Sequence, residues 1–129
     1  SITASMLLGA VVNSYGGLIF RTNGGFGNTP AWWTYYLNNV VYLYRGNDGA
    51  GGATSVASFT QAQSGRFFLR VRFADTKIIV SAGPSLTTLV EVINVTDSNK
   101  NQTGYVGLFC RGDTGSNTRF DDVTIENQD

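Results

Sequence analysis

The sequence has no histidine and a single cysteine, Cys110, in 129 residues. Without histidine, the commonest general acid/base, the Ser-His-Asp arrangement and the commonest transition-metal ligand are missing together. One thiol cannot close an internal disulfide or supply a zinc cluster, so any catalysis would rest on carboxylates, Lys or Tyr. Charge is scarce too: 14% of the residues are Asp, Glu, Lys or Arg, against about 25% in an average domain. Nine bases balance nine acids, which leaves no polycation to hold a nucleic-acid backbone, and nucleic acid is not an expected partner. No apolar run approaches the roughly 20 residues of a membrane span, and no basic-then-apolar leader opens the chain, so membrane insertion is not expected either.

What is present is 42% hydrophobic content, 12% aromatic content and 16 glycines. That is enough apolar material for one core and not two, so residues 1–129 read as a single domain. The start at Ser1 reads as a domain excised from a longer protein. Low charge with abundant Gly, Asn, Ser and Thr argues against long amphipathic helices and for strands and turns. Ile2–Val12 is open between a short helix and one or two strands. From Gly17 onward, short runs rich in β-branched and aromatic residues alternate with turn-forming clusters, as in an all-β sandwich. These predict strands at Gly17–Thr22, Trp32–Asn38, Val40–Arg45, Thr54–Phe59, Arg66–Phe73, Lys77–Ser81, Thr88–Val92, Tyr105–Cys110 and Arg119–Glu126. Asp75-Thr76 has the place of a tight hairpin turn, and Gly83-Pro84 cannot continue a strand. The glycine-rich stretch Gly46–Gly52 lacks the Lys-Ser/Thr of a phosphate loop and reads as a hairpin loop.

Alternation assigns faces, because successive side chains of a strand point to opposite sides of its sheet. In Arg66–Phe73 the apolar set Phe67, Leu69, Val71 and Phe73 is expected in the core, with Arg70 and Arg72 outside. In Val40–Arg45, Val41 and Leu43 are expected inside, and Tyr42 and Tyr44 outside. In Trp32–Asn38, Trp33, Tyr35 and Leu37 are expected inside, leaving Trp32, Thr34, Tyr36 and Asn38 outside. The candidate ligand-binding face is therefore Trp32, Tyr36, Tyr42, Tyr44, Arg70 and Arg72. Sugar rings stack an apolar C–H face on indole or phenol rings, and Arg can donate hydrogen bonds to hydroxyls or pair with acidic sugar groups. The alternative is cross-strand packing of these residues on one another, or on a neighbouring domain.

Several pieces, taken in order, carry a resemblance. They are Gly16-Gly17-Leu18-Ile19-Phe20-Arg21, Trp33-Thr34-Tyr35-Tyr36-Leu37, Val41-Tyr42-Leu43-Tyr44-Arg45, Gly65-Arg66-Phe67-Phe68-Leu69-Arg70-Val71, Thr103-Gly104-Tyr105-Val106-Gly107-Leu108-Phe109 and Phe120-Asp121-Asp122-Val123-Thr124-Ile125. Together, over Gly16 to Glu126, the chain resembles concanavalin A-like, laminin G-like jelly-roll domains. The resemblance implies an antiparallel two-sheet jelly-roll sandwich, used as a carbohydrate-binding or adhesive module. It also implies calcium as an accessory, for which Asp121 and Asp122 are the candidate ligands. The related jelly-roll glycoside hydrolases carry a close carboxylate cluster on one strand, and this sequence departs from that pattern. No Glu-x-Asp or Asp-x-Glu pair occurs, and Glu91 stands alone on its strand.

Three short motifs remain. Arg111-Gly112-Asp113 is the tripeptide read by integrins, in a position that also suits an ordinary turn. Asn94-Val95-Thr96 and Asn101-Gln102-Thr103 match the N-glycosylation pattern, which matters only in a eukaryotic secretory pathway. Cys110 shares parity with Leu108 and reads as a small buried hydrophobe. The expected function is a non-catalytic carbohydrate-binding or adhesion module of a secreted, cell-surface or virion protein, with a glycan or cell-surface polysaccharide as partner and no required cofactor. One alternative is a structural or protein-interaction module that meets other domains or subunits of a phage tail or capsid assembly. The other is a glycan-processing domain without a recognisable carboxylate pair.

Overall fold

The structure is a computed structural model that describes residues 2–8, 14–22, 31–37, 39–46, 53–61, 67–74, 76–96, 105–112 and 120–127. The described residues form ten strands: β1 (Ile2–Leu8), β2 (Ser14–Thr22), β3 (Ala31–Leu37), β4 (Val40–Gly46), β5 (Ala53–Thr60), β6 (Phe67–Ala74), β7 (Lys77–Gly83), β8 (Val90–Thr96), β9 (Tyr105–Gly112) and β10 (Phe120–Asn127). Sheet one has the order β10-β1-β6-β7-β8 and sheet two the order β5-β4-β3-β2-β9, with every pair antiparallel. The fold is thus the all-β, antiparallel two-sheet jelly-roll sandwich that the resemblance implies.

The core lies between the sheets. Sheet two contributes Leu18, Phe20, Trp32, Tyr36, Val41 and Leu43; sheet one contributes Leu69, Val71, Phe73, Ile78, Val80, Ala82 and Ile93. Phe20 and Phe73 join the two layers, with ring centroids 4.6 Å apart. Removing each large side chain of this set from water stabilises the fold by about 1.5–3 kcal/mol.

Two hairpins set the registers that matter for function. Leu37 pairs with Val40, which leaves a two-residue turn. Asn39 in that turn has φ 68°, a left-handed conformation that Asn tolerates better than most side chains. The turn is tied down: Tyr36 Oη donates to Asn39 Oδ1 at 2.9 Å, and the Gln61 amide donates to the Asn39 carbonyl at 2.7 Å. Ala74 pairs with Lys77, and Thr76 lies in the turn between them; Asp75, the other residue of the expected Asp75-Thr76 turn, lies outside the described residues.

The ambiguous opening segment is a strand over Ile2–Leu8. The strand expected at Thr88–Val92 starts later, at Val90, because Ser85 to Thr88 form a turn closed by a Thr88 amide to Ser85 carbonyl bond of 3.2 Å and an Oγ–Oγ1 contact of 2.7 Å. The faces of β4 are as alternation predicts, and so are those of β6 from Leu69 to Phe73; the Phe67 side chain lies outside the described residues. Those of β3 are reversed: Trp32, Thr34 and Tyr36 are buried, while Trp33, Tyr35 and Leu37 are half-buried on the other side. The two-residue turn is the cause. It places Tyr36 opposite Val41 and Thr34 opposite Leu43, so the even positions of β3 must share the core face with the odd positions of β4.

Candidate functional site

The outward face of the β3–β4 hairpin carries four aromatic rings. Trp33 lies opposite Tyr44 and Tyr35 opposite Tyr42. Ring centroids are 6.0 Å apart for Trp33–Tyr44, 5.6 Å for Tyr35–Tyr44 and 5.1 Å for Tyr35–Tyr42, with interplanar angles of 12°, 27° and 27°. Tyr42 and Tyr44, neighbours along one strand, are tilted by 54° at 6.0 Å. The rings form one connected, half-buried patch. Cross-strand aromatic pairs of this kind contribute roughly 0.2–1 kcal/mol each.

The surroundings fix this patch from below and beside. Thr34, fully buried beneath it, donates its hydroxyl to the Tyr42 carbonyl at 2.8 Å. On the β2 side, Gly17 lies opposite Tyr35 and Ile19 opposite Trp33. A Cβ built on Gly17 would stand 1.8 Å from the Thr34 carbonyl oxygen, so β2 and β3 approach in a way that only glycine permits. On the other flank, the exposed Ser58 lies opposite Tyr42 and the exposed Ser55 opposite Tyr44. The face therefore offers ring surface in the middle and hydroxyls along the β5 edge.

The structure divides the six residues selected from sequence into three groups. Tyr42 and Tyr44 are in the patch. Trp32 and Tyr36 point into the core, 6% and 8% exposed, and no ligand can stack on them. Arg45 stands over the Trp32 ring, 5.8 Å from its centroid, at the margin of the core. Arg70 and Arg72 are on the outer face of sheet one, the opposite broad surface of the sandwich, because β6 pairs with β1 and β7 and not with any strand of sheet two. The single ligand face expected from sequence is thus two separate faces. Trp33 and Tyr35, which sequence parity assigned to the core, complete the aromatic patch.

The candidate calcium ligands lie on β10. Thr124 pairs with Ser5 and Asp121 with Leu7, so Asp122 and Val123 together oppose Met6 in a β-bulge. The side chains of Asp121 and Asp122 lie outside the described residues, and among the described residues no group of three or more His, Cys, Asp or Glu could hold a metal. Arg111 and Gly112 end β9, while Asp113 lies outside the described residues. So do Asn101, residues 47–52 and the Cys110 side chain; the Cys110 backbone pairs with Gly16. Asn94 is exposed on β8, where its Nδ2 donates to Glu91 Oε1 at 2.6 Å. No helix among the described residues is long and apolar enough to cross a membrane.

No protein-family model and no curated protein matches the chain. Solved structures do. The carbohydrate binding module CBM66 from Bacillus subtilis superposes with a TM-score of 0.69 at 17% identity, over 98% of this chain and 74% of that one. Sheep galectin-11, in complex with glycerol, matches with a TM-score of 0.66 at 11% identity, over 97% and 89%. The GH43 protein BlXynB from Bacillus licheniformis matches with a TM-score of 0.68 at 15% identity, over 96% of this chain but 27% of that one. This chain therefore spans about a quarter of BlXynB. At these identities the likeness is one of fold.

Proposed function

We propose that this chain is a non-catalytic carbohydrate-binding module, which lays a sugar chain across Trp33, Tyr44, Tyr35 and Tyr42. The observation that carries this reading is the connected aromatic patch on the outer face of sheet two. Pyranose and furanose rings present an apolar C–H face that stacks on such a surface, and the exposed hydroxyls of Ser55 and Ser58 suit the polar edge of the same ring. The likeness in fold to a carbohydrate binding module and a galectin supports it. Binding by stacking and hydroxyl hydrogen bonds needs no cofactor and no acid/base pair. A secreted, cell-surface or virion setting, with a surface polysaccharide as partner, suits a domain of this kind.

A glycan array of the purified protein tests the reading, run with calcium and again with a chelator. Retention of a defined glycan class that is lost in Tyr44→Ala, with the circular dichroism spectrum unchanged, is the expected result. The chelator arm tests the calcium that the resemblance implies for Asp121 and Asp122. A blank array from folded protein, with oligomerisation lost in Tyr44→Ala, would replace this reading with that of a subunit-contact module in an assembly.

A further inference from the structure

The outer face of sheet one has a charge arrangement that packing does not require. Arg70 and Arg72 stand two residues apart on β6, so their side chains rise from one face about 7 Å apart. Leu69, Val71 and Phe73, which alternate with them, are buried in the core. Arg72 is exposed and lies opposite Ile79, which is buried although it points outward; Arg70 lies opposite Ser81. Ile79 and the half-buried Phe68 share this face with the two arginines.

What these cations lack is an acidic neighbour in their own strands. A carboxylate directly across from an arginine stabilises a sheet face. Here β1, β6 and β7, the three central strands, contain no Asp or Glu. The cross-strand partners of Arg70 are Ser5 and Ser81, and those of Arg72 are Thr3 and Ile79. Lys77 adds a third cation to the same face of β7. The acids of this face stand on its rim strands: Glu91 on β8 lies opposite Ser81 and accepts the Asn94 amide, and Glu126 on β10 lies opposite Thr3, one strand beyond Arg72. Arg70 Nε is shut off from water and has no hydrogen-bond partner, a condition that costs stability unless something else recovers it.

We infer that Arg70 and Arg72 form a second carbohydrate subsite, on the face opposite the aromatic patch, which takes the acidic group of a sugar: the carboxylate of a uronic acid or a sulfate ester. Both groups present coplanar or fork-matched oxygens to a guanidinium, and two forks about 7 Å apart can grip one such group or neighbouring groups of one chain. Ser81, opposite Arg70, suits a hydroxyl of the same ring. The inference rests on the carbohydrate-binding reading for its ligand class, but it uses none of the same residues.

Affinity electrophoresis tests it, with polygalacturonate and dextran sulfate as probes and uncharged dextran as the control. The wild-type protein is expected to be retarded by one or both acidic probes in low salt. Arg70→Gln/Arg72→Gln should weaken that retardation about tenfold or more, whereas Tyr44→Ala leaves it intact. Arg70→Lys/Arg72→Lys keeps the charge and removes the forks, and should also lose most of it. Arg72→Gln alone, at an exposed position, provides the check if the double variant fails to fold. Polygalacturonate alone would assign the carboxylate, and dextran sulfate alone the sulfate ester. No retardation by either probe, or full retention in the lysine or glutamine variants, would overturn the subsite while leaving the aromatic-patch reading to its own test.

Discussion

Tyr35 and Tyr42 face each other across the β3–β4 hairpin with ring centroids 5.1 Å apart, on the side away from the core. The contact follows from the two-residue turn, which orders the whole hairpin. The turn puts Trp33 beside Tyr44 and sends Trp32 and Tyr36 inward, so the two tryptophans, adjacent in sequence, have unrelated tasks.

Alanine substitution separates those tasks. Trp33→Ala should abolish glycan retention with little change in melting temperature, since the ring is half-buried on an outer face. Trp32→Ala should cost about 3–5 kcal/mol in urea unfolding, as the loss of a buried aromatic side chain does. Equal loss of stability in both variants would contradict the face assignment.

The turn can be dissected at Asn39. Asn39→Ala keeps a side chain in the left-handed conformation without the amide's tolerance for it, and loses the Tyr36 hydroxyl's acceptor, at a total cost of about 2–3 kcal/mol. Asn39→Gly removes the conformational part and should cost only about 1 kcal/mol. In Tyr36→Phe the Asn39→Gly substitution should cost almost nothing more, a coupling that a double-mutant cycle measures.

Gly17 admits no side chain. Its added Cβ would stand 1.8 Å from a backbone oxygen, with the Tyr35 Cα at 2.7 Å, and backbone cannot swing aside as a flexible side chain does. Gly17→Ala is expected to cost about 3 kcal/mol or more in denaturant unfolding. Gly107→Ala would meet only a methyl group of Ile19, at 3.2 Å, and should be milder.

Thr34→Val keeps the shape of the buried side chain and deletes the hydroxyl that donates to the Tyr42 carbonyl. A loss of about 1 kcal/mol in thermal or urea unfolding is expected, with glycan retention preserved.

Most of the fold could be read from the residues, and the reasons for the failures are physical. Turn chemistry marked the hairpin between β6 and β7, and in β4 and β6 one parity is apolar and the other largely polar or amphipathic, so the faces could be read directly. In β3 both parities are aromatic or aliphatic but for Thr34, so alternation had nothing to discriminate. The deciding information was the turn length: two residues between Leu37 and Val40 force the parity of β3 from that of β4. Applying that rule to the sequence would have selected Trp33 and Tyr35. The separation of Arg70 and Arg72 from the tyrosines is of another kind. It follows from β6 pairing with β1, more than sixty residues upstream, and no local pattern encodes which sheet a strand joins.

Strand β1 lies between β6 and β10, so the first strand of the chain finds one of its two partners only in the last. Sheet one is therefore closed by contacts that span nearly the whole sequence, and sheet two by the long-range pair of β2 and β9. The β3–β4 and β6–β7 hairpins, one in each sheet, close locally. Folding of such a topology belongs to the millisecond-to-second range of all-β domains and not to the microseconds of helical bundles. The aromatic patch and the arginine pair each stand on a hairpin that closes locally, while the sheets that hold them are completed only by the last two strands.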